Sequence, residues 1–197
     1  MGHIFCVTSL KGGVGKTTTA VNLSTAFAMA EKKTLLVDCD PQGNATTGMG
    51  IDKASLSRTL YHAMTGKASV QDSIVGTEIR FLKTFPAGLD LFRAESELRA
   101  RREKERILRD LLRELKEVYD YIIIDSPPSF SLLTVNAMTA ADSLLIPLQC
   151  EFYAMEGIGH HFKMIQFLKK RFNPGLKIAG VLLSMVRPEE DICSRIS

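Results

Sequence analysis

A glycine-rich loop between a strand-like segment and a helix-like segment is the feature that most limits how this chain can fold. Residues 3–10, HIFCVTSL, have the apolar character of a buried strand, and residues 16–30 have the composition of a helix. Between them stands KGGVGKTT, residues 11–18. A strand that turns through glycines into a helix brings backbone N–H groups and the positive end of the helix to a phosphate. The stretch therefore predicts an α/β fold with a phosphate site after its first strand.

Each part of this predicted phosphate loop matches a need of a bound nucleotide. The glycines let the backbone turn so that its N–H groups point at phosphate oxygens. We expect Lys16 to reach the β- and γ-phosphates, the Thr17 hydroxyl to ligate Mg²⁺, and Thr18 to bond the α-phosphate. A glycine-rich turn without a ligand would not require the Lys-Thr-Thr run that follows. We therefore predict a bound nucleotide and Mg²⁺, held by Gly12, Gly13, Gly15, Lys16, Thr17 and Thr18.

Beyond the loop, short apolar runs alternate with helical stretches. Apolar runs separated by helices are typical of a parallel sheet that is covered on both faces. We predict a single α/β domain over residues 1–197, with a mostly parallel, twisted sheet and helices on both of its faces. The charged middle of one helical region, RARREKER, is either a solvated face or a break between two helices. The predicted strands are 34–40, 79–87, 121–125, 143–150 and 177–186; the predicted helices are 56–64, 94–118, 131–142 and 154–172, and 41–50 is a predicted loop.

Three acidic residues end predicted strands beside the phosphate loop. Asp38 and Asp40 close the run LLVDCD, and Asp125 closes the run YIIID. The carboxyl ends of parallel strands meet at one edge of the sheet, where carboxylates can support Mg²⁺ next to the loop. An Asp at a strand end can instead cap the next helix. Three such residues near one loop favour metal support, and Asp125 stands where phosphate-loop enzymes often hold Mg²⁺ through water.

The sequence indicates a reducing compartment. No apolar run approaches the roughly 20 residues that cross a bilayer, and the N-terminus lacks the basic start and apolar run of a signal peptide. We therefore expect a cytoplasmic protein. The cysteines form no C-x-x-C pair, and those in apolar runs are expected to be buried thiols. These are Cys6, Cys39 and Cys150, with Cys193 as the fourth cysteine.

Positive charge is concentrated in one stretch of the chain. No Asp or Glu occurs from Gly157 to Pro188, although the net charge of the whole sequence is only +3. A surface of one sign suits a polyanion such as nucleic acid, but a basic helix face beside a neutral strand has the same composition. The cations of this stretch are Lys163, Lys169, Lys170, Arg171, Lys177 and Arg187.

Four segments together resemble the ParA/Soj chromosome- and plasmid-partitioning ATPases, which are relatives of MinD. These segments are KGGVGKTT, VDCDPQGNAT, YDYIIIDSPPS and PLQCEFYAMEGI. The phosphate loop alone is shared with MinD and with the nitrogenase iron protein, whereas DPQGNAT and QCEFYAMEG point to the ParA branch. The resemblance covers essentially the whole chain. Without an additional N-terminal DNA-reading domain, the sequence looks like the short chromosomal type.

The resemblance gives the second lysine of the loop a role. It implies a deviant Walker A loop whose signature lysine is Lys11, which reaches the nucleotide of the other subunit in the ATP-bound sandwich dimer. A second ammonium near the β- and γ-phosphates can stabilise the charge that develops during transfer. The resemblance implies catalytic roles for Lys11, Lys16 and Asp40, of which Asp40 orients or activates the attacking water. The implied metal-site residues are Thr17, Asp38 and Asp125. The implied binding residues for ATP are those of the loop, namely Lys11, Gly12, Gly13, Val14, Gly15, Lys16, Thr17 and Thr18.

The resemblance also implies a function. A protein of this kind would be a Mg²⁺-dependent ATPase with slow intrinsic turnover that forms a homodimer with ATP. The dimer would bind DNA nonspecifically on the nucleoid and release it after hydrolysis stimulated by a ParB-like, centromere-binding partner, with no membrane partner. A MinD-like membrane-cycling ATPase is one alternative, although it would require a C-terminal amphipathic basic helix that this sequence lacks. A nucleotide-binding regulator without turnover is the other.

Near its end, the sequence departs from the family. Family members usually continue with a further strand, helices and a Pro-Arg-Asn-type segment that packs on adenine, so the resemblance implies a C-terminally truncated domain. The segment VRPEED, residues 186–191, also replaces the usual Tyr-Asp pair and the arginines that follow it. We therefore expect the last predicted strand, KIAGVLLSMV, to leave a face or an edge uncovered, which favours aggregation.

Overall fold

A computed structural model describes residues 1–149 and 154–186 of the chain. Within these ranges, one seven-stranded sheet is flanked by seven α-helices. The strands are β1 (His3–Val7), β2 (Thr34–Asp38), β3 (Val75–Gly76), β4 (Leu82–Phe85), β5 (Tyr121–Asp125), β6 (Ser143–Gln149) and β7 (Lys177–Ser184). The helices are α1 (Lys16–Met29), α2 (Asn44–Gly48), α3 (Leu60–Thr65), α4 (Leu91–Leu98), α5 (Ile107–Leu112), α6 (Leu132–Ala140) and α7 (Ala154–Arg171).

The sheet is almost entirely parallel. Its strand order is β3-β4-β2-β5-β1-β6-β7, and only the pair β3–β4 is antiparallel. The inner strands β2 and β5 read TLLVD and YIIID and are buried along nearly their whole length. A strand that is covered on both faces needs apolar residues at successive positions, and these two segments provide them. The prediction of a mostly parallel sheet is confirmed.

Each face of the sheet has its own core, because successive residues of a strand point to opposite faces. On one face, Val7, Leu36 and Ile123 pack in one cluster with Ala20 and Ala28 of α1. The opposite face is covered by α3, α4, α5, α6 and α7, whose apolar residues form a second cluster with the alternate residues of the same strands. Helices therefore cover both faces, as predicted. Helix α1 begins at the carboxyl edge of the sheet.

The helical region predicted over 94–118 is divided. Helix α4 ends at Leu98 and α5 begins at Ile107, and Glu103 between them adopts a left-handed conformation with a φ of 53°. The intervening RARREKER has Ala100 as its single apolar residue, so little in this segment can hold a helix against the core. Of the two alternatives that the sequence leaves open, the structure adopts the break.

Two short elements depart from the sequence prediction. Helix α2 lies within the segment 41–50, which the sequence predicts as a loop, and the two-residue strand β3 also has no counterpart among the predicted strands. Helix α2 follows Gly43, whose φ is 64°. Five residues are too few for an amphipathic period to be visible. Within the helix, the N–H and the hydroxyl of Thr46 donate hydrogen bonds to Asp38 of β2.

The outer strand β7 exposes apolar side chains. Ile178, Val181 and Leu182 are 44%, 43% and 42% exposed. Within the described residues β7 pairs with β6 alone. This agrees with the expectation that the last strand leaves an apolar surface uncovered.

The cysteines and the helices bear on the predictions of buried thiols and of a chain without a membrane span. Cys6 and Cys39 are buried free thiols, as predicted. The predictions for Cys150 and Arg187 lie outside the described residues. No helix in the described part of the chain combines the length and the apolar character that crossing a bilayer requires.

Candidate active site

The phosphate loop connects β1 directly to α1. Gly15 forms the N-terminal cap of α1 with a φ of 90°, and Gly13 has a φ of 77°. No atom lies within 4 Å of a Cβ built at either glycine. The positions therefore require glycine because of their left-handed backbone and not because of crowding. Helix α1 begins at Lys16, so its free N–H groups face the loop.

The two lysines of the loop lie in different environments. Lys16 is 6% exposed, and its Nζ donates a hydrogen bond to the backbone carbonyl of Lys11 at 3.0 Å. Burial lowers the pKa of Lys16, and the nearby Asp125 and Asp40 act in the opposite direction. The Lys11 side chain is exposed, and its Nζ lies 3.4 Å from Oε1 of Gln149. One ammonium thus lies inside the site and the other at its surface.

Sheet register brings the predicted carboxylates together. Asp125 of β5 pairs with Val7 of β1 on one side and with Asp38 of β2 on the other. Val7 is the last residue of β1, so both carboxylates lie at the carboxyl edge where the phosphate loop begins. Asp40 follows two residues after Asp38 and is 8% exposed. The sequence prediction that strand ends gather these residues beside the loop agrees with this geometry.

The Asp125 carboxylate is buried without hydrogen-bond partners. Its side chain is 0% exposed, and neither oxygen has a hydrogen-bond partner among the described residues. Burial, followed by the charge of Asp38, raises the pKa of Asp125 to about 7. The Thr17 hydroxyl and Lys16 act in the opposite direction, although Thr17 makes no hydrogen bond of normal geometry to Asp125. A buried acceptor of this kind fits a cation bound between Thr17 and Asp125.

Protein ligands alone do not complete a metal site here. In residues 1–149 and 154–186, no three His, Cys, Asp or Glu side chains are grouped so that they could hold a metal ion. Mg²⁺ in nucleotide sites usually has one or two protein ligands and takes the others from phosphate and water. The residues present therefore fit a cation that arrives with a nucleotide.

Asp38, unlike Asp125, accepts hydrogen bonds from neighbouring residues in the described part of the protein. It is 0% exposed and accepts hydrogen bonds from the Asp40 N–H at 3.2 Å and from both the N–H and the hydroxyl of Thr46 at 2.7 Å. Burial raises the pKa of Asp38 to about 6, and the hydrogen bonds from Thr46 limit that rise. Oδ1 of Asp40 accepts a hydrogen bond from the Gln42 N–H at 2.9 Å, which fixes the Asp40 carboxylate on the loop.

Comparison with known proteins identifies the family of the chain. The family model described as an AAA domain matches residues 2–178. The chromosome partitioning protein ParA of Myxococcus xanthus is 49% identical over 196 residues, which cover 100% of this chain and 69% of that protein. The sporulation initiation inhibitor protein Soj of Bacillus subtilis is 48% identical over 186 residues, which cover 94% and 74% respectively. The chain belongs to the ParA/Soj family of chromosome-partitioning ATPases.

A solved structure supports the same assignment of the fold. The cobyrinic acid a,c-diamide synthase from Mycobacterium smegmatis, solved with a bound ATP analog and magnesium, has a TM-score of 0.94 and 33% identity. The similarity covers 100% of this chain and 78% of that one. The phosphate-loop NTPase fold is thus confirmed, and as a ParA/Soj family member the chain is an ATPase.

Sequence reasoning missed three residues near the site of this ParA/Soj ATPase. Thr46 binds Asp38, and the Ser184 hydroxyl at the end of β7 donates a hydrogen bond to the Val14 carbonyl in the phosphate loop at 2.8 Å. The first contact spans eight residues and the second 170, and no local pattern indicates either of them. The third residue is His161, for which the sequence does carry a signal.

His161 is an imidazole buried in the apolar face of α7. It is 3% exposed, and neither ring nitrogen has a hydrogen-bond partner among the described residues. Burial, and to a smaller extent the charge of Lys16, lowers the pKa of His161 to about 4. The helical spacing of His161, Ile165 and Leu168 predicts that they share one face, and all three are buried.

We expect His161→Leu to increase the free energy of unfolding more at pH 5 than at pH 8. Above about pH 6.5 the imidazole is neutral in both states and adds no pH dependence. As the pH falls from about 6.5 to 4, the unfolded chain binds a proton that the folded chain excludes, so the parent protein loses stability. The difference is about 2 kcal/mol at pH 5, and the substitution removes it.

Urea unfolding of the parent and the variant at pH 5 and pH 8 measures this effect. His160→Leu is the matched control, because it removes an exposed imidazole from the same helix. An equal gain at both pH values for His161→Leu would show that the imidazole is not held neutral by burial.

Proposed function

We propose that this chain is a Mg²⁺-dependent partitioning ATPase that binds ATP in a sandwich dimer of two copies. The dimer binds DNA nonspecifically and leaves it after hydrolysis, which a ParB-like, centromere-binding protein accelerates. Intrinsic turnover is slow because the catalytic constellation is complete only in the closed dimer. The protein therefore acts in the cytoplasm, on the nucleoid, and moves a chromosome or a plasmid.

The separation of the two loop lysines carries this proposal. A phosphate loop that serves only its own nucleotide needs one lysine, and Lys16 meets that need from inside the site. The Lys11 side chain is exposed at the opposite end of the same loop, on the surface that a second copy would approach. An ammonium supplied across an interface stabilises charge on the transferring phosphoryl group, as an arginine finger does.

The residues around the loop account for phosphate binding, cation binding and activation of the water. The loop N–H groups and Lys16 would hold the phosphates, while Thr17 and Asp125 would hold the cation. Mg²⁺, when bound, neutralises phosphate charge that develops during transfer. To Asp40, which is 8% exposed, we assign the orientation of the attacking water and the acceptance of its proton.

The second half of α7 and the start of β7 form the basic surface that we assign to DNA. Lys163, Lys169, Lys170, Arg171 and Lys177 are exposed, and none of them forms an ion pair with a carboxylate of the described residues. The last turn of α7 leads to the amino end of β7, opposite the carboxyl edge with its phosphate loop. DNA on this surface would not compete with the nucleotide.

Replacing both Lys169 and Lys170 by Ala is expected to weaken DNA binding and to make it less dependent on salt. The slope of log K against log salt should become shallower by roughly 1 for each phosphate contact that is lost. Binding by the parent should be independent of DNA sequence and should require ATP, because a dimer doubles the number of contacts. Fluorescence anisotropy with duplex DNA from 50 to 300 mM salt measures the slope.

The matched control replaces Lys32 and Lys33, an exposed lysine pair in the turn before β2. This double variant has the same net charge and should keep the parent slope. If the Lys169 and Lys170 variant keeps the parent slope, the DNA interface lies elsewhere, and the basic region 99–106 is the next to test.

Single-turnover hydrolysis with and without DNA tests the whole proposal. A partitioning ATPase hydrolyses bound ATP slowly, assembles with ATP and binds DNA in that state. A nucleotide-binding regulator would retain ATP without releasing phosphate. A MinD-like ATPase would bind anionic lipid vesicles in an ATP-dependent way and would ignore DNA.

A further inference from the structure

The loop that carries Asp40 is fastened to Asp38 at two points. Oδ1 of Asp38 accepts the Asp40 N–H at 3.2 Å, at the start of the loop. Oδ2 accepts both the N–H and the hydroxyl of Thr46 at 2.7 Å, at its end in α2. The carboxylate therefore closes a ring of chain that runs from Asp40 to Thr46, and Asp40 is its first anchor point.

Thr46 connects this ring to the segment that follows β4, the strand that pairs with β2. Its hydroxyl oxygen accepts a hydrogen bond from the Ala87 N–H at 3.0 Å, just beyond β4. The side chains of Asp38, Thr46 and Ala87 are each 0% exposed. The hydroxyl thus donates to one buried group and accepts from another, so no water is available to replace either bond if it is lost.

The ring explains why Asp38 and Asp125 differ in the number of hydrogen bonds that they accept. A carboxylate has about four lone-pair directions, and Asp38 uses three of them on the loop, which leaves one on Oδ1. Asp125 uses none on described residues. Asp125 is therefore available to a cation directly, whereas Asp38 contributes its charge and one remaining direction while it holds the loop.

We propose that Thr46 is a positioning residue for ATP hydrolysis, acting through Asp38 on Asp40. Its hydroxyl holds the ring at the width that keeps Asp40 at the nucleotide edge. Among the described residues, Thr46 forms its hydrogen bonds with Asp38, Ala87, Met49 and Ile51 and not with the phosphate loop or Lys16, which hold the phosphates. Loss of the hydroxyl should therefore affect the reaction and not the binding of ATP. This inference rests on the proposed role of Asp40 as the residue that orients the water.

The test compares Thr46→Val with Thr46→Ser in the full chain. Val keeps the shape but leaves Ala87 N–H and one Asp38 direction unpaired, whereas Ser keeps the hydroxyl. We expect the single-turnover rate at saturating ATP and Mg²⁺ to fall about 10- to 100-fold for Val and less than about threefold for Ser. The affinity for ADP and for ATP should change less than about threefold in both variants.

A second readout does not depend on hydrolysis. Hydrogen exchange of the Ala87 amide should accelerate at least about tenfold in Thr46→Val and remain near the parent rate in Thr46→Ser. If the parent itself releases no phosphate, the proposed function fails, and this exchange result still decides whether Thr46 holds the ring.

Three results would overturn the assignment of Thr46. A Val variant with the parent rate would show that the ring does not position Asp40. A Val variant that loses ATP affinity as strongly as rate would make Thr46 part of nucleotide binding or of general stability. A Ser variant as slow as Val would show that the methyl group matters and the hydroxyl does not.

Discussion

Lys11→Ala is expected to abolish the ATP-dependent dimer and to lower ATP hydrolysis by about a thousandfold or more, while a single subunit still binds ATP within about threefold of the parent. The substitution removes an exposed side chain whose Nζ lies 3.4 Å from Oε1 of Gln149. The Lys11 carbonyl, which accepts the hydrogen bond from Lys16 Nζ at 3.0 Å, belongs to the backbone and stays in place. The interior of the phosphate loop should therefore keep its geometry.

Lys16→Ala provides the contrast within the same loop. Lys16 belongs to its own nucleotide, so its loss removes charge-assisted hydrogen bonds to the phosphates and should weaken ATP binding about 10- to 100-fold. Dimerisation and hydrolysis then fail because the nucleotide is absent, and higher ATP should partly restore the dimer. No ATP concentration should restore it in Lys11→Ala.

Light scattering with ATP and Mg²⁺ follows the dimer, titration calorimetry with ADP follows binding, and phosphate release follows hydrolysis. Lys32→Ala is a suitable control, because it removes an exposed lysine from the turn before β2, at the edge of the sheet opposite the phosphate loop. If Lys11→Ala dimerises and turns over like the parent, Lys11 is a solvated loop residue and the deviant Walker A interpretation fails at its most specific point.

The fold could be predicted largely because its strands carry their own signal. TLLVD and YIIID are too apolar for a half-exposed strand, and both became inner strands of a parallel sheet. The ends of strands were less predictable where tertiary contacts override the local sequence preference. The predicted strand 79–87 is longer than the observed β4, which begins only at Leu82. The reason is that Phe81 occupies a turn with a φ of 67°, and its carbonyl accepts a hydrogen bond from the Thr34 N–H.

The site was predictable to the extent that topology decides it. Parallel strands bring their carboxyl ends together, so Asp38 and Asp125 had to lie near the loop, and register makes them neighbours. The division of labour between them could not be predicted, because it depends on which side chains reach each carboxylate. Thr46 lies eight residues beyond Asp38 and Ala87 forty-one beyond Thr46, and nothing in either segment marks such a contact.

Asp40→Asn is expected to lower the hydrolysis rate by about 100-fold or more, while ATP binding and the ATP-dependent dimer persist. The amide oxygen can replace Oδ1 and keep the bond from the Gln42 N–H, which is 2.9 Å long in the parent. What disappears is the negative charge that accepts a proton from the water. Asp40→Ala removes that bond as well and should be at least as slow.

The dimer that cannot hydrolyse ATP should accumulate on DNA, because release follows hydrolysis. Retention of each variant on immobilised duplex DNA, after a chase without ATP, measures this together with phosphate release. Asp52→Asn is the matched control, since Asp52 accepts the Ala54 N–H at 3.0 Å in the same i to i+2 pattern on an exposed turn. Parent-like hydrolysis by Asp40→Asn would assign the water to another group. Failure of that variant to dimerise would make Asp40 a contact between subunits and not a participant in the chemistry.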